Sequence, residues 1–236
     1  MSDFHYSNHA LLSVAYLPPI DYFRAMIAYG GYAIERYENY QKQSYRNRCR
    51  IYSANGIIPL VIPVIRGESR QQCENSLHEQ CNPQYKQLIT EVKIDYSKQW
   101  QKQHWRAIHS AYKSTPFFDY YQDDLYPFYS SVKEERLFDL NTKLTSVILN
   151  ILGLPAELNY TQNYQIYNPN DLRDSIHPKK GAPLNLKLVE NGNSSIDSNT
   201  SVKKYHQLFA DKYGFIENLS IIDLIFNEGP ESILYL

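Results

Sequence analysis

Several protein classes are excluded by what this chain lacks. It has 3 cysteines in 236 residues, at Cys49, Cys73 and Cys81, an odd number too sparse for a disulfide scaffold. That suits a reducing compartment, so a cytoplasmic location is expected. With 9 glycines it has little material for phosphate-cradling loops. Accordingly, Gly-x-Gly-x-x-Gly, Gly-x-x-x-x-Gly-Lys, Gly-x-Ser-x-Gly and His-Glu-x-x-His are all missing, since His78-Glu79 is followed by Gln80-Cys81-Asn82. The longest apolar run, residues 57–65, contains two prolines and falls far short of the ~20 residues that span a bilayer. Residues 1–19 have no basic segment ahead of their apolar stretch, so they do not form a signal peptide. The 24 Lys and Arg balance 25 Asp and Glu, and a net charge of -1 supplies no field for nucleic acid or an anionic membrane. Cys73, His78 and Cys81 match no zinc-module spacing, and no metal site is expected. The sequence does not identify a cofactor.

What remains is an ordinary folded composition, 43% hydrophobic and 21% charged, with an unusual 22 tyrosines. The apolar residues 11–17 form a strand pattern stopped by Pro18-Pro19. Tyr22, Phe23, Met26 and Ile27 then recur at helical spacing up to Gly30-Gly31, and residues 32–37 resume as a strand. That order predicts a right-handed βαβ unit with parallel strands. Asn55-Gly56 between residues 46–52 and 57–65 predicts a hairpin. Residues 91–96 read as a further strand. Trp100, His104, Ala107, Ile108, Ala111 and Tyr112 share one helical face. Thr115-Pro116 is an N-cap and N1 pair for a helix over 117–129, and another helix runs from Leu137 to a stop at Gly153. Residues 205–213 read as helical, and Ser220-Ile-Ile-Asp223 has capping-box spacing ahead of a last helix. The expected architecture is therefore a single α/β domain over 1–236. It would have a partly parallel sheet with flanking helices, a βαβ start, a hairpin, a helical middle section, and exposed excursions near 66–90 and 190–201.

The most informative stretch is 42–50, Lys-Gln-Ser-Tyr-Arg-Asn-Arg-Cys-Arg, with four cations and no acid. If it is a strand, Arg46, Arg48 and Arg50 lie on one face. Their mutual repulsion is then relieved by a bound phosphate or carboxylate, which guanidinium groups grip well. The alternative is that they face solvent or pair with Glu35 and Glu38. His104 is a candidate general base because histidine titrates near neutrality, although its apolar neighbours also suit a hydrogen-bonded core histidine. Arg173, His177 and Lys179 form a second basic cluster that could close over the same ligand. Tyr16, Tyr22 and Tyr45 could contact a sugar or base through ring and hydroxyl, or simply pack.

Six segments in order resemble one family. These are Ala15-Tyr-Leu-Pro-Pro-Ile-Asp-Tyr-Phe23, Gln43-Ser-Tyr-Arg-Asn-Arg48, the strand over 58–64, Trp100-x-x-x-His104, Ala111-Tyr-Lys-Ser-Thr-Pro-Phe-Phe118 and Asn218-Leu-Ser-Ile-Ile-Asp-Leu-Ile-Phe-Asn-Glu-Gly-Pro230. Across nearly the whole chain they resemble the WbqC-like protein family, in a tyrosine-rich form similar to its Bacteroidetes branch. The chain departs from the commoner pattern in two places. A Gln-Pro-x-Tyr-x-Pro-Trp opening becomes Ala15-Tyr-Leu-Pro-Pro, and a Tyr-Leu-Ser-Gly-like segment after Leu154 is missing. The opening also resembles nucleotidyltransferase-like folds, but without His-x-Gly-His. The family resemblance implies surface-polysaccharide (O-antigen) biosynthesis. The expectation is acyl or aminoacyl transfer onto an amino-sugar or nucleotide-sugar intermediate, and the alternative is a non-catalytic protein that binds an anionic glycan precursor or a partner enzyme. In the enzyme, Lys42, Arg46 and Arg48 would hold an anionic small molecule, Asn47 would orient the acceptor and His104 would take its proton.

Overall fold

The structure, a computed structural model, describes residues 9–65, 87–178 and 203–236. Most of the excursion expected at 66–90, and all of that at 190–201, lie outside them, as do Cys73, His78, Cys81 and Lys179.

The opening βαβ unit is present. Strand β1 (Ala10–Ser13) and strand β2 (Tyr32–Glu35) pair in parallel, with Ala10 opposite Tyr32 and Ser13 opposite Glu35, and α1 (Ile20–Ala28) is the crossover. Tyr22, Phe23 and Met26 of α1 are buried, as the apolar spacing requires, whereas Ile27 is exposed. The loop into α1 carries Leu17 at φ 41°, a left-handed conformation uncommon for leucine, yet the residue is fully buried. Its carbonyl accepts from Ser220 Oγ at 2.9 Å, which ties this loop to the end of the chain.

Two single-residue bridges widen the parallel pair. Leu11 bridges Asp171 on one side and Ile34 bridges Tyr160 on the other, both in parallel. Leu172 N donates to Leu11 O at 2.9 Å, and Thr161 N to Ile34 O at 3.1 Å. Four parallel segments thus lie side by side, two of them too short to form strands.

The hairpin joins β3 (Arg48–Ser53) to β4 (Gly56–Val61), with Ser53 opposite Gly56. Gly56 takes φ 90°, open to glycine but strained for other residues. A third pair joins β5 (Val64–Ile65) to β6 (Lys93–Ile94). The strand expected over 91–96 contracts to β6, with 3-10 turns at Ile89–Glu91 and Tyr96–Lys98. The α/β class holds, and among the described residues the strands fall into three two-stranded pieces.

The middle section is helical: α2 (Trp100–Tyr112), α3 (Phe118–Leu125), α4 (Pro127–Ser130) and α5 (Leu137–Ile151). Trp100, His104, Ile108, Ala111 and Tyr112 are the buried face of α2. The helix expected over 117–129 is split at Pro127, which has no N–H to continue it. Thr115 is not its N-cap: its Oγ1 donates to Tyr112 O at 2.7 Å and closes α2 instead. The helix expected over 205–213 is reduced to α6 (Ala210–Tyr213). α7 (Ile221–Glu228) follows Ser220, whose hydroxyl goes to Leu17 and makes no cap bond.

Asp223, inside α7, is fully buried and accepts from Tyr112 Oη at 2.9 Å, Tyr205 Oη at 2.5 Å and Gln207 Nε2 at 3.4 Å. Burial raises its carboxyl to about 6, although these three donors favour the charged form.

Candidate functional site

Parallel α/β sheets present ligands with the carboxyl ends of their strands. Here those ends deliver Ser13 from β1, Glu35 from β2, Thr161 after the Tyr160 bridge, and Arg173 after the Asp171 bridge. A narrow cleft opens there, lined by Ser13, Val14, Ala15, Tyr22, Tyr45, Arg46, Leu172, Arg173 and Ile176. It leaves about 10 Å³, room for about one water.

Two guanidinium–carboxylate clusters stand beside it. Arg46, only 2% exposed, donates from Nε to Glu38 Oε1 at 3.0 Å, from Nη2 to Glu38 Oε2, from Nη1 to Gln41 Oε1 at 3.4 Å and from Nη2 to Ser13 Oγ at 2.7 Å. Ser13 Oγ in turn donates to Glu38 Oε2 at 2.9 Å. Burial raises the Glu38 carboxyl, and Arg46 and Ser13 pull against that shift. Arg173 donates to Asp171 from Nε at 2.9 Å and from Nη2 at 2.6 Å, and to Gln165 O at 2.9 Å. Its Nη1 lies 3.5 Å from Glu35. Burial opposes the charge of Arg173, but the hydrogen bonds and charge of Asp171 prevail and raise its proton affinity. Glu35 is fully buried and also accepts from Thr161 Oγ1 at 2.7 Å, Tyr37 N at 2.9 Å and Gln165 N at 2.8 Å.

The cleft therefore gathers Tyr22, Tyr45, Arg46 and Arg173 of the residues expected from sequence. The others are placed elsewhere. Arg46 precedes β3 and does not share a strand face with Arg48 and Arg50. Its charge is met by Glu38, the pairing weighed as the alternative. Arg48 is half-buried, Arg50 reaches Asn218 O at 3.2 Å, and Lys42 is exposed. Asn47 is a bracket: its Nδ2 donates to Ile62 O at 2.8 Å, and it is absent from the cleft lining. His177 is half-buried, one residue past Ile176 of the lining.

His104 and Tyr16 lie in the core. Tyr16 Oη is 2.9 Å from His104 Nδ1 and 2.8 Å from Tyr129 Oη. The backbone of Val61 favours the charged ring, but burial outweighs it. Burial lowers His104 to about 4, and it is neutral at pH 7. His104, expected from sequence as a general base, is buried and is not among the residues that line the cleft.

Sequence reasoning did not single out Ser13 or Asp171 and treated Glu38 only as a structural partner. The usable signal was a serine ending a buried strand and a carboxylate eight residues before Arg46. A second depression of about 280 Å³ lies between Tyr96, Gln99, Gln101, Lys102, Tyr129 and Lys133. It is roomier, but its charged groups, Lys102 and Lys133, are exposed and it holds no buried ion pair. Among the described residues, no group of three His, Cys, Asp or Glu could hold a metal ion. No helix there is long and apolar enough to cross a membrane.

These features define an α/β protein with a serine–carboxylate–guanidinium cluster at the carboxyl ends of its parallel segments. The chain belongs to the WbqC-like protein family, whose sequence profile matches residues 14–235. It is similar to the uncharacterized protein Rv1507c of Mycobacterium tuberculosis (strain ATCC 25618 / H37Rv), with 26% identity over 241 residues covering 96% of each chain. No solved structure matches it significantly.

Proposed function

We propose that the chain, as a single cytoplasmic domain, transfers an acyl or aminoacyl group onto an amino-sugar or nucleotide-sugar intermediate of surface-polysaccharide assembly. The family likeness supports the biology, and the observation that carries the chemistry is the Ser13–Glu38–Arg46 cluster on the cleft. Glu38, its carboxyl raised by burial, is a better proton acceptor than a surface carboxylate. It takes the role that His104 does not occupy the place to fill.

Charge bookkeeping narrows the ligand. Glu35, Glu38 and Asp171 face Arg46 and Arg173, so the site carries no uncompensated positive charge. An anionic group enters by replacing Asp171 on Arg173, because that carboxylate is 31% exposed whereas those of Glu35 and Glu38 are buried. A sugar also requires the 172–176 segment to give way, since the closed cleft holds about one water.

A second reading, binding without turnover, is favoured by one observation: both guanidinium groups are already engaged by protein acceptors, Arg46 by Glu38, Gln41 and Ser13 and Arg173 by Asp171, Gln165 and Glu35. A thermal-shift screen against nucleotide sugars, amino sugars, acyl thioesters and nucleoside triphosphates tests both, because a ligand specific to the native state stabilises it by mass action. Stabilisation by a nucleotide or amino sugar together with an acyl thioester supports transfer. Stabilisation by one glycan precursor alone supports binding, and a uniformly blank screen removes both small-molecule proposals.

A further inference from the structure

We propose that Ser13 is a nucleophile, with Glu38 as its base, and that group transfer proceeds through an ester on Ser13 Oγ. The proposal rests on the group-transfer function above and adds the covalent step.

The hydrogen-bond directions at Ser13 are forced. A guanidinium only donates and an ionised carboxylate only accepts. The Ser13 hydroxyl proton must therefore point at Glu38 Oε2, 2.9 Å away, while Arg46 Nη2 donates to the same oxygen at 2.7 Å. A hydroxyl aimed at a base, with a fixed cation beside the oxygen that gains negative charge, is the arrangement an activated serine needs. Ser13 ends a parallel strand and is one of the residues that line the cleft, as is Arg46 beside its hydroxyl.

Thr161 provides an internal comparison. Its Oγ1 donates to a buried carboxylate, Glu35, at 2.7 Å, but it is 1% exposed and absent from the cleft lining. Similar hydrogen bonding without access predicts no reactivity.

With an acyl thioester as donor, Ser13 Oγ attacks the carbonyl carbon. The C–O bond forms and the C–S bond breaks. The hydroxyl proton passes to Glu38 and then to the departing thiolate. An acceptor amine next attacks the ester, forming C–N and breaking C–O, and its proton returns through Glu38 to Ser13 Oγ. No electrons are gained or lost overall.

The test treats the full-length protein with p-nitrophenyl acetate and, separately, a fluorophosphonate, followed by peptide mass spectrometry. The expected result is a single adduct on Ser13 with a burst of one nitrophenolate per chain, no adduct on Thr161, and no adduct in Ser13→Ala. Glu38→Gln should slow labelling by about 10²-fold or more. Should Glu38→Gln not fold, the wild-type labelling rate must still rise with the ionisation of one carboxyl group. Ser13 left unlabelled by both reagents, in a protein whose melting transition is intact, overturns the proposal. So does labelling that persists in Ser13→Ala. Because labelling needs no sugar, its failure is distinct from failure of the sugar screen: a protein stabilised by nucleotide sugar and acyl thioester but unlabelled keeps group transfer and loses the serine ester.

Discussion

Glu38 takes the guanidinium of Arg46 with both carboxylate oxygens, and the pair is buried beside Ser13 at the mouth of the cleft. Removing two charges from water is costly, so a buried pair is a poor device for stability alone and is damaging to break. Glu38→Ala and Arg46→Ala should each lose about 3–5 kcal/mol in urea denaturation. An apolar replacement of both residues, similar in volume, should recover most of that loss while ligand binding stays absent. Single variants as stable as the wild type would show that the pair is not buried as described.

His104 gives stability a defined pH dependence. Its folded value is lowered to about 4 from an ordinary 6.5, so the unfolded chain binds the proton first. The contribution is complete above pH 6.5 and is lost as pH falls toward 4, by roughly 3 kcal/mol at most. His104→Gln should flatten that limb of the denaturation profile. It should also retain ligand stabilisation and turnover in proportion to folded protein, because the ring does not reach the cleft.

Asp223 acts with the opposite sign. Its folded value is raised to about 6 from 3.8. Its contribution to stability is therefore complete below pH 3.8 and is lost as pH rises through 6. Between pH 4 and 6 the two groups partly cancel. The difference in unfolding free energy between Asp223→Asn and the wild type should shift in favour of the variant from pH 4 to pH 7, by about 1–3 kcal/mol. A difference independent of pH would mean that Asp223 is not buried in its ionised form.

Asp171 competes with any incoming anion for Arg173. Asp171→Asn should tighten binding of inorganic phosphate or a nucleotide sugar several-fold in isothermal titration, since the competing carboxylate charge is gone. Unchanged or weaker binding would place the anion elsewhere.

The sequence made the fold legible where periodicity was long or turn chemistry specific. The βαβ start, the Asn55-Gly56 hairpin, and the buried faces of α2 and α5 all follow from apolar spacing. The residues around Asp171 and Tyr160 carry no periodic signal in the sequence, because a parallel bridge one residue long leaves no alternation to detect. The site was half legible for the same reason. Arg46 and Arg173 stood out as cations, but their approach depends on Leu11 meeting Asp171, a contact 160 residues apart in sequence. The Thr115-Pro116 signal misled because a threonine hydroxyl can close the preceding helix as readily as open the next. His104 stood out by residue type, whereas its neutral state is set by burial and its ring meets the Tyr16 hydroxyl.

The most direct measurement is hydrogen–deuterium exchange of the full-length protein with and without each compound that stabilises it, run beside Ser13→Ala. Ligand-dependent protection should centre on residues 13–22, 45–46 and 172–176, at the carboxyl ends of the parallel segments. Protection confined to residues 96–102 and 129–133, or spread evenly over the chain, would contradict the assignment of the site.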